Sequence, residues 1–357
     1  MIKVLMCGPL NVSGGVSVHT KSVTQHLSDM GIKVHMYNFY GENLKYSPVN
    51  HFFKVYRRTL GLLFKAIKLR SEYDIIHVQA SGGIFSFISA ISASFASKIC
   101  SKKLCVTLHY RASPKFIKKY KSLFSFVLST SSVFFVVSKE QKEIIKRFLP
   151  SFNNVMLIPN GIDPKKFKVM DKTACRITLG LPLDKLIVLS VGNLVDEKGH
   201  QYFIKAARDI VQSRKDILCI IIGTGNLRKK LDKQIKDDGL EENFKLVGVK
   251  PHSEIPIWMN ACDIFVFPSL VESFGTAQIE AMACGKPIVA TYNGGSEGII
   301  ISSDYGLLCE TANSSKLAEN ILKAINKSWN KEDIVRYSKQ FSWENIAKKT
   351  ISIYNQI

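Results

Sequence analysis

Short apolar runs rich in Val, Ile, Leu and Phe alternate along the chain with longer amphipathic stretches. In the first half the runs fall at 2–7, 32–37, 74–78, 104–109, 133–137 and 155–158. In the second half they fall at 186–191, 217–222, 244–247, 263–267, 287–291 and 306–309. Runs this short and this continuous fit strands buried on both faces, the pattern of parallel sheets. Helical spacing predicts helices near 16–30, 58–70, 84–98, 115–129 and 139–148, then near 198–212, 226–238, 253–260, 275–284 and 313–327. Such alternation predicts an α/β fold of two doubly wound parallel sheets, each covered by helices on both faces. The stretch 160–186, rich in Pro, Gly and Lys, reads as a linker, which places the domains at 1–168 and 169–340. The tail "FSWENIAKKTISIYNQI" (341–357) reads as an amphipathic closing helix, expected to pack back on the first domain.

A length of 357 residues suits two cores, and 46% hydrophobic with 22% charged residues is an ordinary soluble balance. No apolar run reaches the roughly 18 residues that span a bilayer. The opening "MIKVLMCG" reads as a first strand and not as a signal peptide. The eight cysteines form no CxxC pair and lie mostly in apolar runs, so buried thiols in a reducing compartment are expected, with no zinc site. Charge is more informative. The net charge is +20, yet residues 1–170 hold 25 Lys and Arg against 7 Asp and Glu, and the rest hold 24 against 22. An anionic partner is therefore expected for the first half: nucleic acid, an acidic membrane surface or a phosphorylated substrate.

In open parallel sheets, ligands sit beyond the carboxyl ends of strands. Candidate groups do follow strands here. Gly14 and Gly15 precede the first helix and would let backbone N–H groups approach an anion, although their spacing from Gly8 is not that of a dinucleotide fingerprint. His109 ends a strand, with Arg111 two residues on, which points to substrate contact. "IPNGID" (158–163) reads as a hinge turn capped by Asp163. Lys198, beside Gly199 in "VGNLVDEKG", sets an ammonium next to the opening of a helix and suits a phosphate. Gly223 and Gly225 in "IIIGTGN" leave room for a flat or bulky group, or make a tight turn.

The stretch "ESFGTAQIEA" (272–281) holds two carboxylates around a helix start. Gly275 and Thr276 would supply first-turn N–H groups for a phosphate. Glu280 is placed to accept from a ribose diol, and Glu272 to face a sugar on the other side. An acid–base pair acting on a glycosidic bond is the alternative, but three phosphate-like loops in one chain count against it.

The segment "PSLVESFGTAQIEAMACGKPIVATYNGGSEGII" resembles the E-x7-E block and downstream Gly-Gly loop of retaining glycosyltransferases of the GT-B fold. The resemblance extends through the Gly14-Gly15 loop, His109, "VSKE", "IPNGID", "VGNLVDEKG" and "FSWENIA" to nearly the whole chain. It implies two Rossmann-like domains facing across a cleft that holds a nucleotide-diphosphate sugar, with configuration retained at the transferred hexose. Carried over by position, Glu280 would hold the ribose, Glu272 the sugar, and His109 the sugar from the first domain. Lys198, Gly14, Gly15 and the amides of Phe274, Gly275, Thr276 and Ala277 would hold the diphosphate, with Asn193, Gly223 and Gly225 around the nucleotide. His109, Glu272 and Lys198 would be the catalytic set, and Arg111 would join His109 and Glu272 around sugar and acceptor. No metal or other cofactor is implied. The leaving phosphate itself would take the acceptor's proton. Two positions depart from the family pattern. Asn193 stands where Arg is common, and "GGSEGII" lacks the usual Pro-Glu pair, so Glu297 or Gly298 occupies the Glu position.

The implied acceptor is a glycan or lipid-linked sugar in cell-surface synthesis. Residues 52–70 carry six cations and no acid among Phe, Leu and Ile, and 113–124 add four more. A basic amphipathic face of this kind predicts peripheral attachment to an anionic membrane, at the inner face of a cytoplasmic location. A nucleotide-sugar epimerase or sugar phosphorylase on the same plan is the enzymatic alternative, and a scaffold without activity is another. From a different class, a basic nucleic-acid-binding protein would explain the charge, but no helix-turn-helix, RNP or zinc pattern is present, and no nucleic acid is expected.

Overall fold

The computed structural model describes residues 2–10, 14–40 and 48–357, with residues 48–51 and 86 described by backbone alone. The chain forms two compact units: Met1–Gly161 with Trp343–Ile357, and Ile162–Ser342. The division thus falls inside the segment read as a linker, ahead of residue 168.

The first unit runs β1 (Lys3–Gly8), α1 (Gly15–Asp29), β2 (Lys33–Asn38), α2 (Pro48–Arg58), α3 (Leu60–Lys68), β3 (Ile75–Ala80) and α4 (Gly83–Cys100). It continues through β4 (Lys103–Leu108), α5 (Pro114–Lys119), α6 (Lys121–Thr130), β5 (Val133–Val136), α7 (Lys139–Phe148) and β6 (Val155–Leu157). The second holds α8 (Lys172–Leu179), β7 (Leu186–Val191), α9 (His200–Ser213), β8 (Ile217–Ile222), α10 (Arg228–Asp237), β9 (Phe244–Leu246) and α11 (Ile255–Ala261). After these come β10 (Ile264–Phe267), α12 (Thr276–Ala283), β11 (Ile288–Thr291), β12 (Gly306–Cys309), α13 (Ser314–Asn326) and α14 (Lys331–Ser338). The last helix, α15 (Trp343–Tyr354), belongs to the first unit and packs on α1.

Each unit is a six-stranded parallel sheet, ordered β2-β1-β3-β4-β5-β6 in the first and β12-β11-β10-β7-β8-β9 in the second. Strands such as β3 and β8 are buried along their whole length, which is why their sequences are continuous apolar runs and do not alternate. The order reverses between β1 and β3, and again between β7 and β10. At these two places the crossovers leave in opposite directions, which is where open parallel sheets take their ligands. The cysteines are unpaired and, apart from Cys100, buried.

The structure departs from the sequence reading in several places, among them the unexpected helix α14. The supposed linker contains α8, capped by Asp171, which accepts from the Ala174 N–H, and closed by Gly180 in the left-handed region (φ 61). The helix expected at 58–70 is α3, and a separate helix, α2, precedes it. The break between them falls at Thr59, whose hydroxyl bonds back to the Val55 carbonyl at 2.8 Å. The helix expected at 115–129 divides into α5 and α6 at Tyr120. Finally, α4 is long and apolar enough by composition to cross a membrane, although the sequence holds no unbroken apolar run of that length.

Arg176 of α8 is buried and satisfies the Ala261, Leu183 and Lys185 carbonyls and the Asp263 carboxylate, fixing the approach to β7 and β10. In the first unit, His77 of β3 lies 2.5 Å from the Tyr354 hydroxyl through Nδ1 and 2.7 Å from the Thr107 hydroxyl through Nε2. Burial holds His77 down at about 3 and His19 at about 4, so both rings are neutral.

Two outcomes are expected. Arg176→Ala strands several buried acceptors and should cost about 3–5 kcal/mol in denaturant unfolding of the second unit. The depressed histidines give full stability above the ordinary histidine value near 6.5. As pH falls from there towards about 4, the unfolded chain takes up protons that the folded chain refuses. The denaturation midpoint should therefore drop between about pH 7 and pH 5, and His77→Gln, which cannot titrate, should flatten that slope.

Candidate active site

The helices that follow the switch strands share one feature. α1, α4, α9 and α12 start behind Gly14, Gly82, Gly199 and Gly275, none with a side-chain capping bond. By contrast, Ser113, Ser138, Asp171, Asn313 and Asn330 cap α5, α7, α8, α13 and α14. A glycine start leaves first-turn N–H groups open to an outside acceptor, with the positive end of the helix behind them.

In the second unit, three loops meet at the β7–β10 switch point. The Leu270 N–H donates to the Glu197 carbonyl (2.7 Å), and the Glu272 N–H to the Asn293 carbonyl (2.9 Å). Gly199 has φ 64, and a Cβ there would lie 2.1 Å from the Pro268 carbonyl oxygen, so only glycine lets these loops touch. Lys198 pairs with Glu272 beside the Phe267 ring, 5.4 Å from its centroid. The other Glu272 oxygen accepts from the Ser273 N–H at 3.2 Å. Glu280, in the second turn of α12, is buried with one oxygen 3.0 Å from His252 Nε2, and Lys166 bonds the other nitrogen of that ring. Thr276 and Ala277 form the partly exposed first turn of α12.

Three buried polar atoms on these elements have no hydrogen-bond partner among the described residues: Ser190 Oγ of β7, Ser269 Oγ after β10 and Gln278 Oε1 of α12. His200, at the start of α9, is buried beside Gly192, and burial holds it at about 4 and hence neutral. Unsatisfied groups in β7, after β10 and on α12 fit a site that a polar ligand or water completes.

Other predicted residues are placed differently. A Cβ on Gly223 would lie 1.9 Å from the Gly192 carbonyl oxygen, and one on Gly225 would lie 2.3 Å from that of Leu194. These glycines let the β8 loop pack against the β7 loop, whose backbone stands on their Cβ side. Asn193 is exposed in that loop. Phe274 turns its ring into the core, 6.0 Å from Phe341, which leaves its backbone alone to offer. Glu297 accepts from the Gly294 N–H with both oxygens and closes its own loop. Asp163 accepts from the Lys165 N–H and shapes the turn after "IPNG".

In the first unit, His109 follows β4, is buried, and sets Nε2 2.8 Å from Gln79 Oε1. An amide oxygen only accepts, so Nε2 carries the proton and Nδ1 is left as an acceptor. Burial, with His19 and His77 nearby, keeps His109 well below the ordinary histidine range. It can therefore bind a hydroxyl but cannot supply positive charge. The His19 ring stands edge-on at 4.5 Å and is itself held by Asn160 at 3.1 Å. Arg111 gives a two-pronged bond to Glu140 (2.7 and 2.5 Å), tying the loop after β4 to α7. A Cβ on Gly14 or Gly15 would meet no described atom within 4 Å.

Sequence reasoning missed Gln79, His19, His200, His252 and the Gly82–Gly83 pair. The last was legible: "HVQASGGIF" is a strand end followed by paired glycines, the same signature as at Gly14–Gly15. His252 carried no such signal, because it meets Glu280 only through folding.

Two family models match the chain: Glycosyltransferase Family 4 over residues 13–166 and Glycosyl transferases group 1 over residues 171–341. An uncharacterized glycosyltransferase of Methanocaldococcus jannaschii is 27% identical over 356 residues, 96% of this chain and 95% of its own. The GPI3 subunit of phosphatidylinositol N-acetylglucosaminyltransferase of Saccharomyces cerevisiae is 25% identical, covering 96% of this chain and 80% of its own. Among solved structures, the Anabaena HepE protein in complex with UDP matches with a TM-score of 0.78 at 20% identity, each chain covered in full. With two parallel-sheet units of the GT-B kind and family models along nearly its whole length, the chain belongs to the group 1 glycosyltransferases.

Proposed function

We propose that this glycosyltransferase moves a hexose-type sugar from a nucleoside diphosphate to a glycan or lipid-linked acceptor, with retention of configuration and without a metal ion. The observation that carries this reading is the Lys198–Glu272 pair beside the uncapped start of α12, with Glu280 one turn further in. The diphosphate takes the N–H groups of Gly275–Ala277 and draws Lys198 from Glu272, and the freed carboxylate accepts from sugar hydroxyls. Glu280 accepts from the ribose diol. His109, neutral with Nδ1 open, accepts from a sugar hydroxyl.

In the reaction, the bond from the anomeric carbon to the diphosphate oxygen breaks, and its electron pair stays on the diphosphate. The acceptor oxygen bonds to that carbon on the same face, and its proton passes to the departing phosphate oxygen. Lys198 and the helix N–H groups stabilise the charge that develops there. The relatives support the classes of donor and acceptor. HepE was crystallised with UDP, and the yeast relative is named as a subunit of a phosphatidylinositol N-acetylglucosaminyltransferase. The comparisons favour neither the epimerase nor the nucleic-acid alternative. The basic first half would hold the enzyme at the inner face of the membrane, in the cytoplasm.

Calorimetric titration with UDP, GDP and ADP tests the site, and no binding by any of them would remove the reading. Lys198→Ala should weaken nucleoside diphosphate binding about tenfold or more while hardly affecting the bare nucleoside. Glu280→Ala should weaken both ligands by a similar factor. Glu272→Ala should lower kcat at least about tenfold, with a smaller change in nucleotide affinity. Equal losses for diphosphate and nucleoside in Lys198→Ala would place that lysine elsewhere.

A further inference from the structure

The helices α2, α3 and α4 carry large apolar side chains on the side away from the core. Phe52, Leu60, Phe64, Phe85, Phe95 and Ile99 are each more than half exposed. On α4, Phe85, Phe95 and Ile99 fall on one stripe, while Phe87, Ala90 and Ala93 fill the core on the other side. On α3, Leu60 and Phe64 are one turn apart and Lys68 is the next turn, with Leu62 and Ala66 buried behind them.

The three helices form one layer. Arg58 at the end of α2 donates to the Phe85 carbonyl (3.3 Å), and Ser92 of α4 donates to the Thr59 carbonyl (2.7 Å). Phe95 rests 5.1 Å from Phe126 of α6, with Lys98 over the Phe126 ring. An apolar surface of this extent on a water-facing layer marks an interaction site.

Charge selects the occupant. Across the three helices and the segments between them, residues 48–100, the chain holds seven Lys and Arg (Lys54, Arg57, Arg58, Lys65, Lys68, Arg70 and Lys98) against two acids, Glu72 and Asp74. Such a surface repels a second copy of itself and attracts anionic headgroups. The Ala-rich side of α4 is built into the core, so this helix, however apolar, can only lie against a bilayer and not cross it.

We propose that the α2–α4 layer seats in the headgroup region of an anionic bilayer, with Phe52, Phe64, Phe85 and Phe95 in the acyl boundary and Lys65, Lys68 and Lys98 on lipid phosphates. This deepens the membrane attachment proposed above, on which it rests, by assigning it to apolar insertion as well as charge.

The test is flotation of the full chain with vesicles of phosphatidylcholine alone or of equimolar phosphatidylcholine and phosphatidylglycerol. Binding is expected on the anionic vesicles, with a loss of about tenfold or more in the Phe64→Ser/Phe95→Ser double variant and in Lys65→Glu/Lys68→Glu. Trp fluorescence of Phe64→Trp should be quenched by brominated acyl chains. Absence of wild-type flotation would overturn the proposal. So would flotation abolished by salt but untouched by Phe64→Ser/Phe95→Ser, or light scattering showing a dimer that the same double variant dissolves. Circular dichroism melting of the Phe variants checks their fold, and Glu280→Ala should still float, so failure of the donor site and failure of the membrane face are separable.

Discussion

A parallel sheet must be covered on both faces, because its strands bury both, and so its crossovers must leave in two directions. Where the direction changes, no crossover covers the strand ends. In the second unit that place lies between β7 and β10, and the loops after both strands converge there. The site is thus a by-product of covering the sheet. What the sequence adds is chemistry: glycine starts on α9 and α12, a lysine on one loop and a glutamate on the other.

The two units divide polar chemistry by charge. The interior of the first is a chain of neutral groups, running from Tyr354 through His77 and Gln79 to His109 and from His19 to Asn160. Burial keeps these imidazoles uncharged, so they can orient hydroxyls without adding to the strongly positive balance of that half. The second unit, nearly balanced in net charge, keeps the ammonium of Lys198 paired with a carboxylate. A charge held this way is compensated by its partner while both side chains stay partly exposed.

Twelve strands were legible because each is an apolar run too short for a helix and too continuous for a solvent-facing strand. The Glu272–Glu280 block was legible because its residues lie within one strand–loop–helix passage. What escaped depended on distance in sequence. Gln79 meets His109 through the pairing of β3 with β4, and His252 reaches Glu280 from a separate loop. Gly223 and Gly225 were read as room for a flat or bulky group or as a tight turn, and the structure shows the Cβ side of each turned against the backbone of the β7 loop. Which side of a glycine faces a neighbouring loop depends on a contact between β7 and β8 that the local sequence does not carry. The helix α8 hid in a segment whose lysines, proline and glycines looked like a linker, although Asp171 and Gly180 bracket it as cap and terminator.

The glycine starts also bear on how the protein could be made more robust. At Gly199 and Gly275 a side chain would collide with neighbouring atoms, and both sit in the left-handed region. Gly82 differs: its backbone is extended (φ 169), and no described atom stands within 4 Å of where a Cβ would be. Serine or aspartate there would firm up α4 by about 1 kcal/mol. The same oxygen would occupy backbone donors at the β1–β3 reversal, so thermal tolerance gained at that glycine would leave fewer of them open to an outside acceptor.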